Sequence, residues 1–177
     1  MRKKLETLFP ELQLIRDRAL REQTTAVWLE AMKQEGWKIK DLTLMPFTLL
    51  IPSTDVNIIV HTRAVTRTAL KIAEVLAQHY PKKISIHGDY LLSGAILHDV
   101  GKLFEYRRER GKFVKSRGGQ LLRHPISGAA FAFKHGLPQE VIHIIAAHSK
   151  EGDGLRRTIE AVIVNHADFV NFDVFKS

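Results

Sequence analysis

An adjacent histidine and aspartate at the end of an apolar run constrain this chain more than any other feature. The segment reads Ala95-Ile-Leu-His98-Asp99-Val-Gly-Lys102 and places an imidazole nitrogen beside a carboxylate, a pairing typical of metal sites. Further candidate ligands each fall near the start or end of a predicted helix. They are His61, His124, His148 and Asp168. The fold must therefore bring helix ends that are distant in sequence to one point.

The ligand types restrict the metal. The chain has no cysteine, which excludes thiolate sites and disulfides, so a bound metal must use imidazole and carboxylate. Such a set suits Mn, Fe, Mg, Co, Ni or Zn in an open, reactive site. One ion rarely takes six protein ligands and still admits a substrate, so the set favours two divalent ions. Asp99 is the predicted bridge, with His61, His98 and Asp168 on one ion and His124 and His148 on the other.

This arrangement predicts a metal-dependent hydrolase. Two cations about 3.5–4 Å apart can share a water and direct the resulting hydroxide at a phosphorus atom. Asp99 and Lys102 are the candidate catalytic residues. Lys102 follows Asp99 by one short turn, where its ammonium could neutralise charge on a phosphate oxygen. A lysine is also favoured near a helix C-terminus by the helix dipole, so a purely structural role stays open.

Length and charge indicate a single domain with an anionic partner. The chain has 177 residues, within the usual range for one domain, and 27 Lys and Arg against 19 Asp and Glu, a formal charge of +8. Much of the excess lies between residues 102 and 123, opposed there only by Glu105 and Glu109. This basic segment joins two of the candidate ligands, which favours a phosphorylated substrate. The alternative is a solvated surface hairpin.

Composition also bears on the compartment. No apolar run approaches the ~20 residues needed to cross a bilayer, and no apolar signal core follows Met1. With no cysteine in the chain, we expect a soluble, cytoplasmic protein without a membrane partner.

Apolar periodicity and breakers predict an all-α bundle with one short, hairpin-like basic insertion. The insertion covers about residues 104–120, where aromatic and β-branched residues are interrupted by glycines. Ser53-Thr54-Asp55 and Asp89 are the predicted caps of two helices, and Gly101 is a predicted turn after the His98–Asp99 pair. Predicted helices cover about residues 12–34, 55–79, 89–98, 125–134, 139–148 and 158–169.

Two regions are expected within one compact domain. Residues 1–52 form an N-terminal helical extension packed on the core, and its last part, residues 37–52, is an apolar linker broken by Pro46 and Pro52. Residues 53–177 form the hydrolase core.

The remaining histidines are not predicted ligands. His79, His87 and His135 stand at helix ends or in a loop, where exposed or capping roles are usual. His143 is expected to pack or to support a ligand. On a helix, His166 points about 200° away from Asp168, so both cannot easily face one metal.

With these residues in view, the chain resembles the HD-domain metal-dependent phosphohydrolase superfamily from about Asp55 to Phe172. His61 is similar to the family's first histidine, His98–Asp99 to its namesake pair and Asp168 to its closing aspartate. His124 and His148 resemble the additional pair of members that hold two metals. The resemblance implies an all-α HD-domain bundle, and Gly101-Lys102 is similar to members that act on phosphodiesters.

Departures from the family pattern narrow the expected substrate. After His148 the chain lacks the second histidine and the Gly-Tyr-Pro segment of the HD-GYP group, which argues against cyclic-di-GMP hydrolysis. Triphosphohydrolases of deoxynucleotides resemble a four-ligand version and fit less well. The chain looks more like stand-alone HD hydrolases or the catalytic module of an HD-type exoribonuclease.

The predicted function is hydrolysis of a phosphomonoester or phosphodiester, on a nucleotide-like substrate, through a metal-bridging hydroxide. Three alternatives stay open. The first is an HD-type ribonuclease that holds RNA with its basic segment, the second a non-catalytic module that senses a nucleotide or metal, and the third a di-iron oxygenase. The sequence also leaves open whether the chain forms a homodimer.

Overall fold

The computed structural model describes residues 1–51 and 54–176, and it confirms the predicted all-α class. Helices dominate, with one two-stranded sheet. The helices are α1 (Arg2–Leu8), α2 (Arg18–Glu35), α3 (Ile39–Leu42), α4 (Ile58–His79), α5 (Gly88–Leu97), α6 (Lys102–Glu105), α7 (Arg117–Leu121), α8 (His124–Lys134), α9 (Gln139–Ala147) and α10 (Ile159–Asp173). The strands are β1 (Tyr106–Glu109) and β2 (Lys112–Lys115), and short 3-10 turns cover Pro10–Leu14 and Lys150–Gly152.

Helix α5 lies at the centre of the bundle. It contacts α2, α4, α9 and α10, and each of its residues from Leu91 to Leu97 is buried. A Cβ on Gly94 would lie 2.6 Å from Ile144 Cδ1, so glycine permits the close approach of α9. Because α5 ends inside the core, the His98–Asp99 pair at its C-terminus is buried as well.

The N-terminal segment shares the main core with α5. Leu5, Phe9 and Trp28 are buried in one apolar cluster with Ile96. The indole Nε1 of Trp28 donates to the Ile96 carbonyl at 3.1 Å, which satisfies both buried polar groups. The domain boundary at residues 52 and 53 stays a prediction, since Pro52 and Ser53 lie outside the described residues.

The helix predicted over residues 12–34 is divided. The 3-10 turn precedes it, and α2 begins at Arg18 because Asp17 Oδ1 accepts from the Leu20 N–H at 3.1 Å, an N-cap that the prediction missed. Helix α2 ends at Glu35, one residue beyond the predicted end, where Gly36 has φ 75° in the left-handed region that glycine favours.

The predicted cap of α4 is wrong. The helix begins at Ile58, and Asn57 Oδ1 accepts from the N–H groups of Ile59 and Val60 at 3.1 and 3.0 Å. Of the predicted Ser53-Thr54-Asp55 cap, Ser53 lies outside the described residues. The helix starts late because Ile58 N donates to the Met45 carbonyl, which pairs the approach to α4 with the preceding segment.

The predicted cap of α5 is also wrong. His87 Nδ1 accepts from the Tyr90 N–H at 3.3 Å and caps the helix. The Asp89 carboxylate instead accepts from the N–H groups of Arg16 and Asp17, both at 2.9 Å. This distant pair of donors satisfies Asp89 and ties the approach to α2 to the start of α5.

Gly101 lies in a turn after the His98–Asp99 pair, as predicted. Its φ is −62°, an ordinary helical value. A Cβ at this position would lie 2.0 Å from the His124 carbonyl oxygen, so the absence of a side chain lets α8 approach the end of α5. Glycine is therefore required by packing and not by backbone conformation.

The basic insertion is a hairpin, as predicted. β1 and β2 pair antiparallel, with Arg107 opposite Val114 and Glu109 opposite Lys112. Arg110 and Gly111 form the two-residue turn with φ 48° and 80°, both positive as tight hairpins with the right twist require. Among the described helices, none is long and apolar enough to cross a membrane.

Candidate metal centre

The structure brings all the predicted ligands to one buried cluster. His61 lies in the first turn of α4, His98 and Asp99 follow α5, and the other three come from the start of α8, the end of α9 and the middle of α10. Five of the six, all but Asp168, are buried. The cluster consists of His61, His98, Asp99, His124, His148 and Asp168.

Asp99 occupies the middle of the cluster. Its Oδ2 lies 3.3 Å from His98 Nε2 and 3.6 Å from His61 Nε2. Its Oδ1 lies 3.3 Å from His124 Nε2 and 3.9 Å from His148 Nε2. Two sets of side chains that could each hold a metal ion therefore share Asp99, one through each carboxylate oxygen.

Asp168 joins the first of these sets. Its Oδ1 lies 3.0 Å from His61 Nε2 and 3.8 Å from His98 Nε2. The Asp168 side chain is 16% exposed, more than the other two members, and it lines the cleft that opens above the cluster. His61, His98 and Asp168 thus lie on one side of Asp99, and His124 and His148 lie on the other; their assignment as metal ligands stays a prediction.

Hydrogen bonds fix the orientation of three imidazoles. His98 Nδ1 donates to the Ala95 carbonyl and His148 Nδ1 to the Ile145 carbonyl, both at 2.7 Å. His124 Nδ1 donates to Glu105 Oε2 at 2.9 Å. When Nδ1 carries the proton, Nε2 presents a lone pair, and in each ring that Nε2 faces the centre of the cluster.

These lone pairs fit a cation. His124 Nε2 and His148 Nε2 lie 3.2 Å apart, and two lone pairs at that distance repel unless a positive charge lies near both. His98 Nε2 is buried without a hydrogen-bond partner among the described residues, and so is His61 Nδ1. Buried polar atoms without partners are costly, and a metal ion would satisfy those that face the centre.

Electrostatics keep most of the ligands in metal-binding protonation states. Burial alone would raise the pKa of Asp99, but the Lys102 ammonium and His98 hold it well below its usual range. Burial lowers the pKa of His148 to about 3 and also lowers that of His61, so both imidazoles are neutral near pH 7. His98 differs, because its carboxylate neighbours outweigh burial and raise its pKa.

Lys102 is buried against the cluster. Its Nζ lies 2.6 Å from Asp99 Oδ2 and also donates to the Phe47 carbonyl. The side chain is 9% exposed, and it lines the cleft. Two of its three ammonium donors are therefore used within the protein, and its predicted catalytic role stays a prediction.

Sequence reasoning missed Glu105, which it treated only as a charge opposing the basic segment. Glu105 is buried, and its Oε2 accepts from both the backbone N–H and the Nδ1–H of His124. Burial alone would raise the pKa of Glu105, but the bonds from His124 lower it. The only sequence signal was an acidic residue isolated among basic ones just after α5 ends.

The other histidines lie outside the cluster. His166 and His79 are exposed, and His87 caps α5. His143 Nε2 accepts from the Thr158 N–H at 3.3 Å at the start of α10. This bond places His143 in a packing role between two helices, one of the two roles expected for it.

A cleft of about 200 Å³ opens above the cluster. Lys102, His124 and Asp168 form part of its lining. Basic side chains that surround them are Lys115, Arg123, Lys150 and Lys176, and apolar ones are Leu49, Leu50, Phe169 and Phe172. The cleft therefore combines metal-ligand chemistry, positive charge and an apolar wall.

A comparison with known protein families identifies the family to which this cluster belongs. The HD domain model matches residues 58–171, which include every member of the cluster. The chain belongs to the HD-domain family. The resemblance inferred from the sequence, over about Asp55 to Phe172, is thereby confirmed.

Individual relatives are phosphoester-cleaving proteins by name. The HD chain is 39% identical over 114 residues to the dihydroneopterin 2',3'-cyclic phosphate phosphodiesterase of Methanocaldococcus jannaschii, covering 63% of this chain and 45% of that protein. It is 35% identical over 78 residues to ribonuclease Y of Acidothermus cellulolyticus and 34% over 77 residues to that of Thermobifida fusca, covering 44% of this chain and 13% of each protein. The matches thus span less than half the length of these relatives. No solved structure matched the chain.

Proposed function

We propose that this HD-domain protein is a metal-dependent phosphodiesterase that hydrolyses a small, nucleotide-like phosphoester. The observation that carries the proposal is the pair of ligand sets that share Asp99, beside a cleft that His124 and Asp168 help to line. The sequence identity shared with a cyclic phosphate phosphodiesterase supports the same class of reaction.

Two divalent cations are proposed, drawn from Mn, Fe, Mg, Co, Ni or Zn. His61, His98 and Asp168 would hold one, His124 and His148 the other, and Asp99 both. Cations at such a site supply the Lewis acidity that attack of water on phosphorus requires. This donor set contains only nitrogen and oxygen, which suits these borderline and hard ions.

Lys102 would bind the substrate phosphate. An ammonium has three N–H donors, and Asp99 and Phe47 accept two of them. The third is available on the side of the cleft, where it can donate to a non-bridging phosphate oxygen as negative charge develops there. The pairing with Asp99 holds the ammonium in place before substrate arrives, which reduces the reorganisation needed for reaction.

The cleft favours a small substrate with an uncharged ring. Its volume of about 200 Å³ accommodates a phosphate group and part of a ring system, and not a folded polymer. Phe169, Phe172, Leu49 and Leu50 are among its lining residues and supply apolar surface suited to a heterocycle. A cyclic phosphodiester of a pterin or nucleoside fits this lining, and the Methanocaldococcus jannaschii relative is a phosphodiesterase of dihydroneopterin 2',3'-cyclic phosphate.

RNA is the second candidate substrate, because two ribonuclease Y proteins are 34–35% identical to part of this chain. Many basic side chains of the segment are ion-paired within the protein. Arg107 pairs with Glu109, Arg108 with Asp41, and Arg123 with Glu151. Fewer charges are therefore free to hold a strand, and RNA binding that weakens steeply with salt would be needed to support this candidate.

The test is elemental analysis of protein purified without chelator, together with hydrolysis of bis-p-nitrophenyl phosphate and p-nitrophenyl phosphate in Mn²⁺. We expect about two metals per chain and faster cleavage of the diester. The variant His124→Ala should lose activity and one metal ion. The control variant His166→Ala, which changes an exposed histidine, should retain its activity and both metal ions. Neither metal nor turnover after reconstitution would favour the non-catalytic sensing module instead. Cytoplasmic location and homodimer formation stay predictions.

A further inference from the structure

We infer that Glu105 is a positioning residue that orients the metal ligand His124 and ties it to the basic wall of the cleft. The inference rests on the proposed function, since it concerns the same site. Glu105 belongs to neither ligand set. Its two carboxylate oxygens nevertheless face opposite partners, a ligand on one side and cationic side chains on the other.

The first oxygen orients His124. Glu105 Oε2 accepts from the His124 backbone N–H at 2.7 Å and from its Nδ1–H at 2.9 Å. The two bonds hold both the start of α8 and the imidazole ring. A carboxylate on Nδ1 keeps the proton there, aims Nε2 at the metal and makes the ring a stronger donor. At Nδ1, His98 and His148 bond to backbone carbonyls, so among these three ligands His124 alone has a charged partner at Nδ1.

The second oxygen faces the cleft wall. Glu105 Oε1 lies 3.7 Å from Lys115 Nζ and 3.6 Å from Arg123 Nη1. Both cations are about one third exposed and line the cleft. The carboxylate thus places two basic side chains at a fixed distance from the metal ligand, where they can meet the part of the substrate that extends from the phosphorus.

The hairpin holds Glu105 in this position. Ser116 N donates to the Glu105 carbonyl at 2.8 Å where the chain returns from β2. Gly119 packs so closely that a Cβ there would lie 2.3 Å from the same oxygen. The insertion therefore holds the backbone of Glu105 in place, which explains how a residue next to a short hairpin can orient a ligand.

Metal affinity tests the inference. We would titrate metal-free wild type, Glu105→Ala and Glu105→Gln with Mn²⁺ against a chromogenic chelator. Glu151→Gln is the matched control, because Glu151 also pairs with Arg123, at 3.1 Å, but among the described residues it forms no hydrogen bond or ion pair with the His124 ring. We expect Glu105→Ala to weaken one of two binding steps by about 10- to 100-fold and Glu151→Gln to leave both unchanged. Glu105→Gln should fall between, since an amide oxygen still accepts from Nδ1–H.

A spectroscopic readout separates orientation from general damage. Nitrogen NMR of the metal-free proteins reports which ring nitrogen of His124 carries the proton. Wild type and Glu105→Gln should show it on Nδ1, and Glu105→Ala should show a mixture of both forms. If Glu105→Ala fails to fold, Glu105→Gln decides the question by its weakened binding step.

The outcomes distinguish this inference from the function on which it rests. Wild type that binds fewer than two ions would overturn the proposed binuclear site. Wild type that binds two ions, with both Glu105 variants binding them equally well, would overturn only the role of Glu105. An equal loss of affinity in Glu151→Gln would also overturn it, because the effect would then come from Arg123.

Discussion

Removing the charge of Lys102 should destabilise the metal-free protein. The Lys102 Nζ lies 2.6 Å from Asp99 Oδ2, and the two side chains are only 9% and 1% exposed. Breaking one partner of a buried ion pair costs about 3–5 kcal/mol, since the remaining charge stays out of water. Lys102→Met keeps most of the side-chain volume, so packing should change little. For Lys102→Met we expect the free energy of unfolding to fall by about 3 kcal/mol, the lower end of this range, because His98 also faces Asp99 and can carry a proton.

Thermal unfolding converts this figure into an observable. For a chain of this length 1 kcal/mol shifts Tm by about 2–4 °C, so Lys102→Met should lower the Tm of the metal-free protein by about 6–12 °C. The matched control is Lys71→Met. Lys71 pairs with Glu74 at the same 2.6 Å and the same i,i+3 spacing, but the side chains are 79% and 64% exposed. An exposed pair contributes at most about 1 kcal/mol, so this control should shift Tm by a few degrees at most.

Added metal should reduce the effect of Lys102→Met. Divalent cations beside Asp99 compensate its charge in place of the ammonium, so the Tm gap between variant and wild type should narrow when Mn²⁺ is present. Scanning calorimetry with and without chelator measures both gaps. A metal-free Lys102→Met protein that unfolds within 2 °C of the Lys71→Met control would refute the view that Asp99 depends on a buried cation.

Three other perturbations test the cluster and its surroundings. Asp99→Asn should remove metal and hydrolysis together, because one carboxylate serves both ligand sets; retention of both ions in elemental analysis would contradict the bridge. The pKa of His148 is lowered from 6.5 to about 3, so its stabilising effect is complete above pH 6.5 and lost as the pH falls towards 3. The Tm of the metal-free protein should fall over that window, and His148→Gln should reduce the slope; an unchanged slope would argue against a neutral buried imidazole. Gly101→Ala should lower the free energy of unfolding, measured in denaturant, by at least about 1–3 kcal/mol, because its Cβ would lie 2.0 Å from the His124 carbonyl oxygen. The control Gly154→Ala should leave the free energy of unfolding unchanged, because the space around its Cβ is open. Equal stabilities of the two variants would contradict the close approach of α8.

The grouping of the six predicted ligands could be anticipated because helix ends carry local signals. Gly136 and Pro138 mark the boundary between α8 and α9, and the His98–Asp99 pair follows an apolar run. Knowing where helices end locates the ligands in the chain, and the chemistry of imidazole and carboxylate then suggests that they meet. The family resemblance rests on the same residues, which is why the fold class and the membership were both predictable.

Partners that are distant in sequence were not predictable. The sequence predicts that Asp89 caps a helix, yet its carboxylate oxygens accept hydrogen bonds from backbone N–H groups 72 and 73 residues earlier in the chain. Glu105 reads as a charge in a basic run, yet it bonds to a histidine 19 residues later. Local sequence shows which groups want a hydrogen bond and not which partner the tertiary fold supplies. Gly101 illustrates the same limit, because its requirement comes from α8 and not from its own φ.

The formal charge at the metal centre helps to explain why many basic side chains of the surrounding segment can form ion pairs with acidic residues of the protein. Asp99 and Asp168 carry two negative charges and Lys102 carries one positive charge, so these three side chains together have a formal charge of −1. Two divalent cations would bring it to +3, enough to attract a phosphodiester without any free charge on the hairpin. Lys115 and Arg123 can then remain against Glu105, where they define the direction from which a substrate enters. With two metals bound, we therefore expect the hairpin to contribute selectivity and the metal centre to supply most of the attraction for phosphate.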